Sequence, residues 1–109
     1  MRESLQTQVQ LLRETQPARY GLVRAHHADV RRAIEASSRN YPTTQQLLGT
    51  LENTDLSARM LGNVLSLFAR FGVLAIHSER NNGNRYDLTA YDRGRMDELA
   101  RLLEADSRR

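Results

Sequence analysis

A chain of 109 residues, 39% hydrophobic and 27% charged, has the apolar content of one folded domain and is too apolar for wholesale disorder. It has no cysteine, which excludes disulfide staples, thiolate metal sites and a cysteine nucleophile. All 16 basic residues are arginine, set against 13 acids for a net charge of +3, so the positive charge does not titrate away. Arginine's forked donor suits phosphates and guanine edges, although a genome rich in G and C produces the same bias. No apolar run reaches the roughly 20 residues that cross a bilayer, and Met1 to Val9 lack a signal-peptide core. The expectation is a cytoplasmic, prokaryotic protein with no membrane partner.

In chain order, Leu5, Val9 and Leu12 recur at spacings of four and three and predict a helix over about Glu3 to Thr15, ended by Pro17. Ala18 to Ala25 read either as a short extended piece or as a helix interrupted by Gly21. A second helix is expected from about His27 to Arg39, with Val30, Ala33 and Ile34 inward, and Asn40, Tyr41 and Pro42 break it. Thr43 with Gln46 three residues on forms a capping box for a short third helix that buries Leu47, Leu48 and Leu51, and Glu52 to Asp55 read as a turn.

The next helix, about Ser57 to Phe71, is strongly two-faced. At roughly 100° per residue, Met60, Leu61, Val64, Leu65, Leu67, Phe68 and Phe71 fall in one arc of about 160°. Arg59, Gly62, Asn63, Ser66 and Arg70 share the other side. Gly72 stops the helix, and a strand is predicted from Val73 to about Arg80. Asn81-Asn82-Gly83-Asn84 supplies the tight turn of a hairpin that resumes at Arg85 to Thr89. A last helix spans about Tyr91 to Ala105, with Met96, Leu99, Leu102 and Leu103 for burial and Asp97, Glu98 and Arg101 at surface-pairing distances.

The fold class is therefore mainly α with a small β-hairpin. The stretch Leu61-Gly62-Asn63-Val64-Leu65-Ser66-Leu67-Phe68-Ala69-Arg70-Phe71-Gly72-Val73-Leu74 resembles the recognition-helix signature of winged helix-turn-helix regulators, and Asn84-Arg85-Tyr86-Asp87-Leu88-Thr89 resembles a second wing strand. PadR-like, penicillinase-repressor-like and archaeal regulators carry similar stretches. The resemblance implies a three-helix core with a two-stranded wing over 27–105, an N-terminal helix and linker over 1–26 with a possible role in dimerisation, an extra C-terminal helix, and a tail at 106–109.

Carried onto these residues, the resemblance implies that Ala58, Arg59, Gly62, Asn63, Ser66 and Arg70 face the major groove of double-stranded DNA, with Arg59 suited to guanine and Asn63 to adenine. Arg80, Asn82, Gly83 and Arg85 would form the wing contact, and Thr43, Thr44 and Gln45 would meet a phosphate. Leu5, Val9, Leu12, Leu99, Leu102 and Leu103 either cover the core or pair two copies as a homodimer on a palindromic site.

The adjacent His26 and His27 lack the four-residue spacing of paired helical metal ligands, and His77 falls in a strand. No phosphate-binding glycine loop, nucleophile elbow or acid-base pair is present, so neither enzymatic activity, a cofactor nor a small-molecule effector is expected. The reading is a DNA-binding regulator, most simply a repressor. Its alternatives are a replication or plasmid-partition factor and a protein-assembly module. The last gains from charge: Leu56 to Thr89 hold four arginines and two acids, only +2.

Overall fold

In a computed structural model, which describes residues 4–52, 54–78 and 84–107, the chain is mainly helical with one small antiparallel sheet. Helix α1 (Leu5–Thr15) is capped by the Ser4 hydroxyl, which accepts from the Thr7 amide. Its Leu5, Val9 and Leu12 are buried. Gln16 both closes α1, its amide donating to the Leu12 carbonyl, and precedes α2 (Pro17–Ala36). Pro17 thus opens a helix as well as ending one, because a proline at the first helical position gives up an amide that would lack a partner anyway.

The open segment Ala18 to Ala25 is helical. Tyr20, Val23, His27, Val30, Ala33 and Ile34 continue a single buried stripe through it, and Gly21 lies on the exposed side with nothing within 4 Å of where a Cβ would stand. The expected boundary between residues 26 and 27 therefore falls within α2, and residues 17–26 are helical. α1 packs against α2 and α5 as part of one core.

The capping box of α3 (Thr44–Leu48) is formed as expected, with the Thr43 hydroxyl accepting from the Gln46 amide and the Gln46 side chain accepting from the Thr43 amide. α4 (Ala58–Arg70) starts at the Ser57 cap and buries Leu61, Val64, Leu65, Leu67 and Phe68, while Met60 is only half-buried. Its end is a Schellman motif: Gly72 has φ 80°, its amide donates to the Ala69 carbonyl, and the Val73 amide donates to the Phe68 carbonyl. Val73 is thereby engaged in the helix cap, and its carbonyl accepts from the Asp92 amide. The strand expected from Val73 begins instead at Ala75.

Strands β1 (Ala75–Ser78) and β2 (Arg85–Asp87) pair antiparallel, Ala75 opposite Asp87 and Ile76 opposite Tyr86. β2 stops short of Thr89 because the Asp87 carboxylate accepts from the Thr89 amide and folds Leu88–Ala90 into a 3-10 turn. On the other edge of β2, residues 40–43 run alongside it. The Tyr86 amide donates to the Pro42 carbonyl at 3.0 Å, the Leu88 amide donates to the Asn40 carbonyl at 2.9 Å, and Thr43 bridges to Arg85. Proline has no amide to offer, so it suits an edge where only its carbonyl pairs. Asn40 to Pro42, read from the sequence as a helix break, thus lies along the outer edge of β2 and is joined to it by backbone bonds.

α5 (Arg93–Ser107) starts after Asp92, whose carboxylate accepts from the Arg95 amide, and buries Met96, Leu99, Ala100 and Leu103. The predicted pairing of Asp97 or Glu98 with Arg101 is not made; Asp97 instead binds Arg31 on α2. Glu35 accepts from the Arg31 guanidinium at 3.1 Å and from the Tyr91 hydroxyl at 2.7 Å, with Arg93 at 3.5 Å. Tyr91's hydroxyl and then Arg31 hold the Glu35 carboxyl below its ordinary range, while burial and the bond to Glu35 push the Tyr91 phenol up to about 12.

Leu5, Leu99 and Leu103 are 1% exposed or less and Val9 and Leu12 are under a tenth exposed. These five side chains pack within one chain. Leu102 is partly buried against the same core.

Candidate nucleic-acid interface

α4 presents its polar stripe outward. Arg59, Asn63, Ser66 and Arg70 are exposed, Ala58 and Gly62 are half-buried, and the stripe from Arg59 to Arg70 is about 17 Å long at 1.5 Å per residue. Among the described residues, none of the four exposed side chains makes a hydrogen bond or an ion pair, whereas the acids of the α2–α5 surface do: Asp29 with Arg32, Glu35 with Arg31 and Arg93, and Asp97 with Arg31. α3 and α4 together contain two arginines and no acid. The stripe is a solvated donor surface of positive sign.

Gly62 marks where α3 crosses α4. A Cβ there would come within 4.0 Å of the Thr44 Cγ2 and meet nothing else at that range. α3 is held at its start from two sides, by its capping box and by the Thr44 hydroxyl, which is 3.2 Å from the hydroxyl of the buried Tyr86 on β2. α3, α4 and the sheet are thereby locked in register. At the other end of the stripe, Ser66 and Arg70 line an open groove shared with Leu74, Ala75 and Ile76 of the hairpin. Arg70 also borders a small cleft with Gln8 and Leu11 of α1.

The expected phosphate contacts at the start of α3 are mostly occupied. Thr43 caps its own helix and Thr44 pairs with Tyr86, which leaves Gln45 exposed. Of the expected wing residues, Arg80, Asn82 and Gly83 lie outside the described residues. The Arg85 guanidinium donates to the Tyr41 carbonyl at 3.0 Å, fastening β2 to the segment 40–43. Four of its five N–H donors are left over from that bond.

Two surface residues escaped the sequence reading. Tyr41, exposed to 41%, stacks on His77 with ring centroids 4.2 Å apart. His77 reaches it because the pairing of β1 slips at this point: Ile76 faces Tyr86 and Ser78 faces Arg85, which leaves His77 as an extra residue in a bulge. A bulge is invisible in a short alternating run. The signal for Tyr41 was available, because a residue before proline prefers extended backbone.

No helix among the described residues is long and apolar enough to cross a membrane. Comparison of the chain with protein-family models, curated proteins and solved structures finds no match.

Proposed function

We propose that this chain is a winged helix-turn-helix protein that binds double-stranded DNA and acts as a transcriptional repressor, with α2, α3 and α4 as its three-helix core. α3 and α4 form the helix-turn-helix, α4 enters the major groove, and the β1–β2 hairpin is the wing. The order of three helices and a hairpin supports this reading, as does the close crossing of α3 and α4 at Gly62. The observation that carries it is the α4 stripe, whose Arg59, Asn63, Ser66 and Arg70 are exposed and unengaged on helices that contain no acid. Arg59 is suited to a bidentate contact with guanine and Asn63 to one with adenine.

Two copies on a two-fold site would double the contact area, and such a homodimer would use outer surface other than the buried leucines. Sedimentation at micromolar concentration reads the state directly.

Fluorescence anisotropy with genomic and random duplexes tests the function. The expected result is an affinity that falls steeply with salt, the slope of log K against log salt being about 0.9 per phosphate contacted. Arg59→Ala and Asn63→Ala should each remove about 1 to 3 kcal/mol at the preferred site and little on random DNA. The modest charge of the segment Leu56 to Thr89, +2, favours a second reading as a protein-assembly module. Absence of duplex binding at low salt would select that reading.

A further inference from the structure

We propose that Tyr41, His77 and Arg85 form a second contact surface for the duplex, gripping one backbone phosphate, and that protonation of His77 strengthens the grip. The proposal rests on the DNA reading and adds to it a site and a pH dependence that the α4 stripe does not supply.

Three side chains with donor groups are neighbours at this edge of the sheet. Tyr86, between them in β2, points into the core, so Arg85 and Asp87 on either side of it point out. His77 sits exposed at the bulge in β1, and the segment 40–43 brings Tyr41 alongside it. The cluster is also pre-set. Arg85 is tied through the Tyr41 carbonyl, the Tyr41 ring lies on the imidazole at 4.2 Å, and Thr43 bridges to Arg85. Holding donors in place lowers the ordering cost of binding.

Among the described residues, the Tyr41 hydroxyl and both ring nitrogens of His77 have no hydrogen-bond partner, and one guanidinium nitrogen of Arg85 is bonded. A phenol, an imidazolium and a guanidinium are hydrogen-bond donors to phosphate oxygens, and two of them bring positive charge.

The charged and titratable groups facing His77 decide the pH dependence. Arg39 and Tyr41 lie on or beside the segment 40–43, and Arg85 and Asp87 lie on β2, while Glu79 and Arg80 fall outside the described residues. Asp87 is the acid among the described ones, and its carboxylate already accepts from the Thr89 amide and hydroxyl. Both bonds fall on one oxygen of that carboxylate and leave the other open, and a duplex phosphate would add further acceptors beside His77. Histidine is the side chain that ordinarily changes charge between pH 5 and 8, so duplex binding should strengthen as pH falls across that interval.

The test is duplex affinity by anisotropy at pH 6 and pH 8, at fixed ionic strength, for the wild type, His77→Ala, His77→Arg, Tyr41→Phe and Arg59→Ala. The wild type should bind about three- to tenfold more tightly at pH 6, the range expected of one hydrogen bond that gains a charge. His77→Ala should abolish that difference and lower the salt slope by about one phosphate. His77→Arg should bind at pH 8 as the wild type does at pH 6. Tyr41→Phe should weaken binding equally on specific and random duplexes, because a phosphate carries no sequence.

If His77→Ala keeps the wild-type pH difference and salt slope while Arg59→Ala loses affinity, the phosphate grip is wrong and the DNA reading stands. If the wild type binds no duplex at either pH, both are wrong.

Discussion

Gly62→Ala separates stability from binding at a single atom. A glycine in a helix interior costs about 0.8 to 1.0 kcal/mol relative to alanine, because its backbone loses more freedom on folding. Whether that amount is recovered depends on room for the methyl group. At Gly62 the nearest atom to an added Cβ is the Thr44 Cγ2 at 4.0 Å, an ordinary van der Waals contact, and no backbone atom stands closer. No clash subtracts from the gain, so the variant should be more stable by about 1 kcal/mol. With an unfolding entropy of roughly 2.1 cal/mol/K per residue over 109 residues, the thermal midpoint should rise by about 4 °C.

The same methyl stands on the exposed stripe between Arg59 and Asn63. If α4 lies in the groove, it holds the helix away from base edges and should cost about 1 to 3 kcal/mol, the worth of one bidentate contact. Thermal melts and duplex titrations on one preparation read both effects. A lower melting temperature would refute the open-space argument, and a duplex affinity equal to the wild type's would refute close approach at Gly62.

Leu5→Ala should destabilise by about 2 to 5 kcal/mol in urea unfolding, since this side chain is 1% exposed and α1 belongs to the core; a loss under 1 kcal/mol would mean that α1 is an appendage. Tyr86→Phe removes the hydroxyl that meets Thr44 and should cost about 0.5 to 1.5 kcal/mol, measured by the same urea midpoint, and a neutral result would show that this bond does not hold α3 against the sheet. Glu35→Gln bears on acid stability. Because Tyr91 and Arg31 lower the Glu35 carboxyl, the folded chain binds that proton less readily than the unfolded chain. Its contribution is complete above the ordinary carboxyl value of 4.5 and is lost as pH falls through the lowered one, so the gap in urea midpoint between wild type and variant should close on going from pH 6 to pH 3. A gap that persists at pH 3 would show that the charge is not responsible.

Local chemistry made much of this fold legible. The α4 helix followed from a 3.6-residue pattern with Ser57 and Gly72 at its ends, and the cap of α3 followed from Thr43 and Gln46, because these features involve residues within a few positions of one another. Errors arose where a residue answers to a distant partner. Val73 reads as a strand residue but closes the α4 cap, and Asp97 reads as a partner for Arg101 but meets Arg31 across the α2–α5 contact. Residues 18–25 have no strong preference, and packing of Tyr20 and Val23 makes them helix.

The polar face of α4 was likewise visible in the spacing of Arg59, Asn63, Ser66 and Arg70. That these side chains remain unengaged while Thr43, Thr44 and Arg85 are bound within the chain was not, since engagement depends on what lies across space. Order along the chain thus determined the helices, their caps and the presence of a hairpin. Tertiary packing alone decided that residues 40–43 line the edge of β2, that the terminal leucines turn inward, and that a bulge sets His77 against Tyr41, because each depends on groups more than 30 residues apart brought together only when the core closes.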